Sequence, residues 1–255
     1  MKRTRGTPAS GRLVRRRLAC AGVSLLLVVF SVDASAAAPD QRCSARVDLT
    51  GLPLVELAAK KTGDQFAVML SGDGGWRRID DKVTDKLRAE GVPVVGFLTP
   101  DYFHVRRSPD ESACALERVI RFHQIEWKRS KVILIGYSRG ADVLPFMASR
   151  LPADIRESIT AIALLGLEPT IDFKYHPSWI PFIRWKEPQV PVAPEVEKLR
   201  GQKVLCFFGE KEKDSLCLRL DPTLVTAVRE RGSHHFAGNY RGIAETILAT
   251  AADSN

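Results

Sequence analysis

The sequence predicts an α/β fold, a mostly parallel sheet flanked by helices, and three observations predict it. Continuous apolar runs at Phe66–Leu70, Val132–Ile135, Ile159–Leu165 and Val204–Phe208 suit strands buried on both faces. Segments of helical spacing separate these runs, and such alternation implies parallel strands joined by right-handed crossovers. Finally, Lys131 to Ile135 leads straight into Gly136-Tyr137-Ser138-Arg139-Gly140, followed at once by an amphipathic pattern. Strand, sharp turn and helix in that order read as a nucleophile elbow, which lifts a serine hydroxyl above the sheet's carboxyl edge. Gly136 and Gly140 flank Ser138 where a Cβ would crowd the turn.

In chain order, residues 2–17 hold seven basic residues and no acid, and Leu18 to Val32 is an uncharged apolar run. Ala34-Ser35-Ala36 then supplies small residues for cleavage after Ala36. This is the pattern of a secretory signal peptide over 1–36, too short for a membrane span of ~20 apolar residues. An exported, periplasmic location follows, with 37–255 as one domain. Arg42 to Leu49 and Leu52 to Ala58 read as edge strands around Thr50-Gly51. Phe66–Leu70 is the first buried strand and ends in the glycine-rich Ser71-Gly72-Asp73-Gly74-Gly75-Trp76. Trp76, Ile79, Val83 and Leu87 recur at helical spacing, Gly91 stops that helix, and Val92 to Leu98 is the next strand.

Ser108-Pro109-Asp110-Glu111 opens a helix with a capping box and a first-turn proline, and the helix runs to about Trp127. After the elbow a helix extends to Arg150, then Ile159–Leu165 is a strand. Residues 167–194 are irregular, with six prolines and five aromatics, where a lid is expected. Phe173, Tyr175, Trp179, Phe182 and Trp185 alternate there with Lys174, Arg184 and Lys186. Such a segment suits peripheral contact with an anionic membrane surface, or ordinary packing. Val204–Phe208 and Leu224–Val228 are the last strands and Ala237–Ala251 the closing helix.

The chain of 255 residues carries 38 basic and 30 acidic side chains, a net +8. Without residues 1–36, seven basic residues and Asp33 are gone, leaving 31 against 29, or +2. The basic balance therefore belongs mainly to the leader and gives no ground for nucleic-acid binding. Cys43, Cys114, Cys206 and Cys217 remain beyond the leader, an even number that permits disulfides after export. Cys206 and Cys217 bracket a strand end and its loop and form the favoured pair, while spacing does not support pairing of Cys43 with Cys114. No cysteine or histidine cluster calls for a metal, and no cofactor is expected.

A serine hydroxyl needs a base to take its proton and a third group to orient that base, and on an α/β-hydrolase fold these follow in the order serine, acid, histidine. After Val204–Phe208 comes Gly209-Glu210-Lys211-Glu212-Lys213-Asp214-Ser215; Asp214 is the first choice of acid, then Glu212, then Glu210. Arg231-Gly232-Ser233-His234-His235 supplies the base, His234 first and His235 in reserve. Oxyanion donors are expected from the backbone of Arg139 and of Asp73 or Gly72.

Ser71 to Trp76, Tyr102-Phe103, Gly136 to Phe146, Asp214-Ser215-Leu216-Cys217 and His234-His235-Phe236 together resemble the bacterial VirJ/AcvB virulence-protein family over nearly the whole mature chain. That resemblance implies an exported α/β-hydrolase of the short, single-domain VirJ form, with Ser138, Asp214 and His234 as triad and a Cys206–Cys217 bridge. It implies hydrolysis of lysyl-phosphatidylglycerol, the activity of AcvB-type members, and an association with type IV secretion proteins. The substrate would be an anionic or aminoacylated phospholipid. Asp73 and Asp142 are candidates to hold its ammonium groups, and Tyr102 and His104 to line the site mouth. The chain departs from the family pattern at His104, where tryptophan is expected, and at Arg139, where phenylalanine is common. The competing readings are a general carboxylesterase or thioesterase and a non-catalytic periplasmic adaptor for type IV secretion substrates.

Overall fold

The computed structural model describes Cys43, residues 48–176 and residues 188–253. The expected leader, most of the expected strand from Arg42 to Leu49, and Trp179, Phe182, Arg184, Trp185 and Lys186 lie outside the described residues. Chain order runs β1 (Leu54–Leu57), β2 (Gln65–Leu70), α1 (Arg78–Ala89), β3 (Val94–Phe97), α2 (Thr99–Tyr102), α3 (Pro109–Glu126) and β4 (Lys131–Tyr137). It continues with α4 (Arg139–Ala148), α5 (Ala153–Ser158), β5 (Ile159–Leu165), β6 (Thr170–Ile171), β7 (Val190–Pro191), α6 (Ala193–Glu197), β8 (Val204–Gly209), β9 (Thr226–Glu230) and α7 (Tyr240–Ala252). Seven strands form one sheet in the order β1-β3-β2-β4-β5-β8-β9. Only β1 is antiparallel to its neighbour.

The apolar runs form strands because each side chain has a core to enter, whichever face it takes. Phe66, Val68, Leu70, Val132, Leu134, Ile162 and Leu164 pack on one face with Leu116, Val119 and Ile120 of α3 and Leu144 of α4. Ala67, Met69, Ile133, Ile135, Ala163, Leu165 and Phe207 face the other way, onto Ile79, Val83 and Leu87 of α1 and Ile243 and Ile247 of α7. Two helical layers therefore enclose the five central strands on both faces, while the edge strands β1 and β9 stay partly exposed.

Capping chemistry matches the expectation at α3: Glu111 N–H donates to Ser108 Oγ at 3.1 Å and Ser108 N–H to Glu111 Oε2 at 2.7 Å. Helix α1 differs, since Trp76 precedes it instead of riding its apolar face. The Trp76 ring lies over Gly96, where an added Cβ would come within 2.3 Å of it. The last strand starts at Thr226, because Leu224 and Val225 are buried in the core ahead of the ladder. Within 167–194, β6 and β7 pair as a short antiparallel ribbon.

Register decides where function can lie. Leu70 aligns with Gly136, Tyr137 with Leu165, and Leu165 with Phe207. The loops that follow β2, β4, β5, β8 and β9 thus leave the sheet along one carboxyl edge, the usual ligand edge of an open α/β sheet.

Candidate active site

At that edge β4 breaks at Ser138, whose backbone takes φ 52 and ψ −124 before α4 begins. A non-glycine residue at positive φ is strained and persists only where its surroundings hold it. Here Ser138 N–H donates to Leu165 O at 2.9 Å and Asp142 N–H to Ser138 O at 3.0 Å. A Cβ on Gly136 would lie 2.4 Å from Gly140 O, and one on Gly140 would lie 2.2 Å from Leu70 O. Both glycines are required by close approach, as the motif suggested.

The loop after β2 runs beside the serine. Gly75 N–H donates to Gly72 O at 3.0 Å, closing a turn, and a Cβ on Gly72 would come 3.1 Å from Ser138 Cβ. Thr99 Oγ1 anchors the loop from below by donating to Ser71 O at 2.8 Å. Neither the Asp73 nor the Arg139 amide hydrogen-bonds to another described residue, so both remain able to donate toward a developing oxyanion. The Arg139 side chain, buried, donates from Nε to Asp73 Oδ1 and from Nη1 to Asp172 O at 2.9 Å. It staples the glycine-rich loop to the start of the 167–194 segment. That role of Asp172 had no sequence signal.

On the other side, His234 Nδ1–H donates to Glu212 Oε1 at 2.8 Å. Glu212 is itself held, since Gly209 N–H donates to its Oε2 at 2.6 Å. The structure therefore corrects the first choice of acid: Glu212, not Asp214, meets the imidazole. Gly209 and Glu212 close a tight turn, with Glu212 N–H on Gly209 O at 2.9 Å, which swings Glu212 inward and leaves Asp214 exposed. Glu210 braces the histidine loop from outside, accepting from Gly232 N–H at 3.3 Å. With Nδ1 committed to Glu212, Nε2 is the nitrogen left to take a proton. His235 instead places Nδ1 2.9 Å from the Tyr137 hydroxyl, which also lies 3.4 Å from His234 O. Burial pushes the Tyr137 hydroxyl well above its ordinary pKa, so it stays protonated.

Ser138, His234, Gly72, Asp73 and Tyr137 line one cleft of about 510 Å³. Of the expected substrate contacts Asp73 is therefore in place, whereas Asp142, Tyr102 and His104 do not line the cleft. Asp142 is buried one turn into α4, accepts from Glu168 N–H at 2.8 Å, and is raised well above the carboxylate range by burial. It fastens the loop after β5 and offers no charge to a substrate. Tyr102 is buried under α3 and donates to Glu111 O at 3.2 Å, while His104 is exposed beside Asp101 O. Among the described residues, Glu168, Glu212 and His234 are the one group whose ligand atoms, all within 4.8 Å, could bracket a cation. The Glu212–His234 hydrogen bond accounts for most of that clustering.

Cys206 and Cys217 are joined, with Cα atoms 5.5 Å apart, tying the helical turn Leu216–Leu218 to β8. Cys43 and Cys114 are joined as well, a pairing that spacing did not support.

A family model described as bacterial virulence protein (VirJ) matches residues 64–255. A search of curated proteins finds no match. Among solved structures, Est1E from Butyrivibrio proteoclasticus superposes with TM-score 0.57 at 16% identity, over 80% of this chain and 97% of that one. MenH from S. aureus gives 0.56 at 14%, over 79% and 98%. The esterase domain of a Rhodothermus marinus protein gives 0.53 at 14%, over 78% and 90%. At such identities the likeness establishes the α/β-hydrolase fold.

Proposed function

The chain belongs to the bacterial virulence protein (VirJ) family, and we propose that it is an exported serine hydrolase that cleaves the aminoacyl ester of lysyl-phosphatidylglycerol. The observation that carries this reading is the His234–Glu212 pair opening onto the same cleft as the strained Ser138. An imidazole oriented by a carboxylate in the same cleft as a raised serine is what acyl transfer requires, and a purely structural protein has no use for it.

In this mechanism His234 Nε2 takes the Ser138 proton as Oγ attacks the aminoacyl carbonyl. The Asp73 and Arg139 amides stabilise the oxyanion, and Glu212 stabilises the imidazolium. Collapse expels the glycerol hydroxyl of phosphatidylglycerol, which receives the proton from His234. Water, activated by the same imidazole, then releases lysine from Ser138. No helix among the described residues is long and apolar enough to cross a membrane. On this reading the enzyme meets its lipid from the periplasmic side, by peripheral contact.

The test is lipid analysis of a deletion strain complemented with wild type or Ser138→Ala. Accumulation of lysyl-phosphatidylglycerol only in the Ser138→Ala strain is expected. If the strains do not differ while the purified chain still hydrolyses simple esters, a general carboxylesterase replaces this reading. If Ser138→Ala loses no phenotype and a fluorophosphonate probe labels nothing, the adaptor reading replaces it.

A further inference from the structure

We infer that Arg77 and Arg78 form a phosphate subsite of the cleft, selecting esters whose alcohol carries a phosphate. This rests on the proposed hydrolase reading and adds to it the groups that recognise the substrate.

Both residues are exposed, and both line the cleft that holds Ser138 and His234. Among the described residues neither side chain forms an ion pair or donates a hydrogen bond. By contrast, Arg121, Arg139 and Arg150 each hold carboxylates. The cleft's lining contains one acid, Asp73, and Arg139 already neutralises it. Of the carboxylates nearest in sequence, Asp80 is buried and accepts from Arg77 N–H at 2.8 Å, and Asp81 accepts from Trp76 Nε1 at 2.8 Å. Both arginines therefore line the cavity with no carboxylate in hydrogen-bond or ion-pair contact with either side chain, although the Arg77 charge does act on the buried Asp80.

Guanidinium groups match phosphate oxygens in a bidentate geometry, and α1, which starts at Arg78, adds the positive end of a twelve-residue helix. The acyl half of a substrate occupies the serine and oxyanion loop, so the arginines are left to the alcohol half. A phosphate a few bonds beyond the scissile oxygen meets them. The chemistry is shared by a phospholipid headgroup and a soluble glycerophosphate ester.

The full chain is assayed on two esters of one acyl group, one with glycerol phosphate and one with plain glycerol as alcohol. Wild type is expected to prefer the phosphate ester, chiefly through KM. In R77Q/R78Q that preference falls about tenfold to a hundredfold, the range for charged hydrogen bonds. R77K/R78K restores part of it. An unchanged preference in R77Q/R78Q overturns the subsite. Preference with the soluble ester assigns the site to phosphate itself, and preference only in phosphatidylglycerol vesicles assigns it to the lipid headgroup. Should Ser138→Ala retain turnover, the hydrolase reading fails, and calorimetric titration with inorganic phosphate still decides the subsite. Binding by wild type that R77Q/R78Q loses upholds it, and no binding by wild type removes it. Single R77Q and R78Q serve if the double variant does not fold.

Discussion

His234 Nδ1 lies 2.8 Å from Glu212 Oε1, and the carboxylate's second oxygen is held by the Gly209 amide. A carboxylate fixed at both oxygens presents one lone pair to the imidazole in one direction. It thereby sets the tautomer that leaves Nε2 basic, which is what a serine nucleophile needs.

Glu212→Gln is therefore expected to lower kcat on an activated ester by about a thousandfold or more, with a small change in KM. Asp214→Asn, on an exposed side chain, is expected to stay within about threefold. Steady-state kinetics on the two variants decides between the acids. A larger loss at Asp214 means the turn between β8 and residue 217 rearranges in the working enzyme.

Gly166 has φ +70, and a Cβ there would stand 2.6 Å from His234 Cε1. Gly166→Ala should cost about 1 kcal/mol in backbone strain and displace the imidazole, lowering kcat about a hundredfold. Gly201→Ala is the control, since it has φ +94 with nothing within 4 Å of the added Cβ. It should show a comparable fall in Tm without the catalytic loss.

Much of this was legible in the sequence. The four buried strands, the α3 capping box, and the glycines of the elbow all follow from short-range chemistry that the sequence displays directly. Glu212 was not the first choice of acid because three carboxylates fall within five residues. Which one turns inward depends on the Gly209–Glu212 turn, a backbone detail. Asp142 stood one helical turn from Ser138, as read, but α4 is so enclosed that the shared face is the core. Leu224 and Val225 looked like strand because they are apolar, yet they fill the core before the edge strand begins.

Ser138 carries the strain of φ 52. Ser138→Gly relieves it while Ser138→Ala keeps it, so the glycine variant should be about 1 kcal/mol more stable than the alanine variant. Both should lose hydrolysis. Chemical denaturation gives the comparison, and equal midpoints would falsify the view that the elbow is held under strain by its neighbours.

The Cys206–Cys217 bridge closes a loop with sequence separation 11 that contains Glu212. Loop entropy puts its contribution at about 3 kcal/mol. The Cys206→Ala/Cys217→Ala variant should lose about 2–3 kcal/mol in urea and also lose kcat, because the acid's turn gains freedom. A loss of stability with full kcat means that the Gly209 amide alone fixes Glu212.

Asp80 gives the chain a pH dependence of opposite sign to the usual carboxylate. Its carboxyl is fully buried at the start of α1, where it accepts from the Arg77 amide, and burial raises it from 3.8 to about 7. The negative charge of Asp81 raises it further, while Arg77 draws it down. A group whose folded pKa exceeds its unfolded one stabilises the protein fully below the unfolded value and loses that contribution as pH rises through the folded one. The window is thus about pH 4 to 7, with a ceiling of about 4 kcal/mol. Wild type should melt higher at pH 5 than at pH 8 from this source, and Asp80→Asn, neutral throughout, should flatten the difference while keeping an acceptor for the Arg77 amide. Thermal melts of both across that range supply the measurement, and parallel curves would show that Asp80 is ionised in the folded chain at every pH tested.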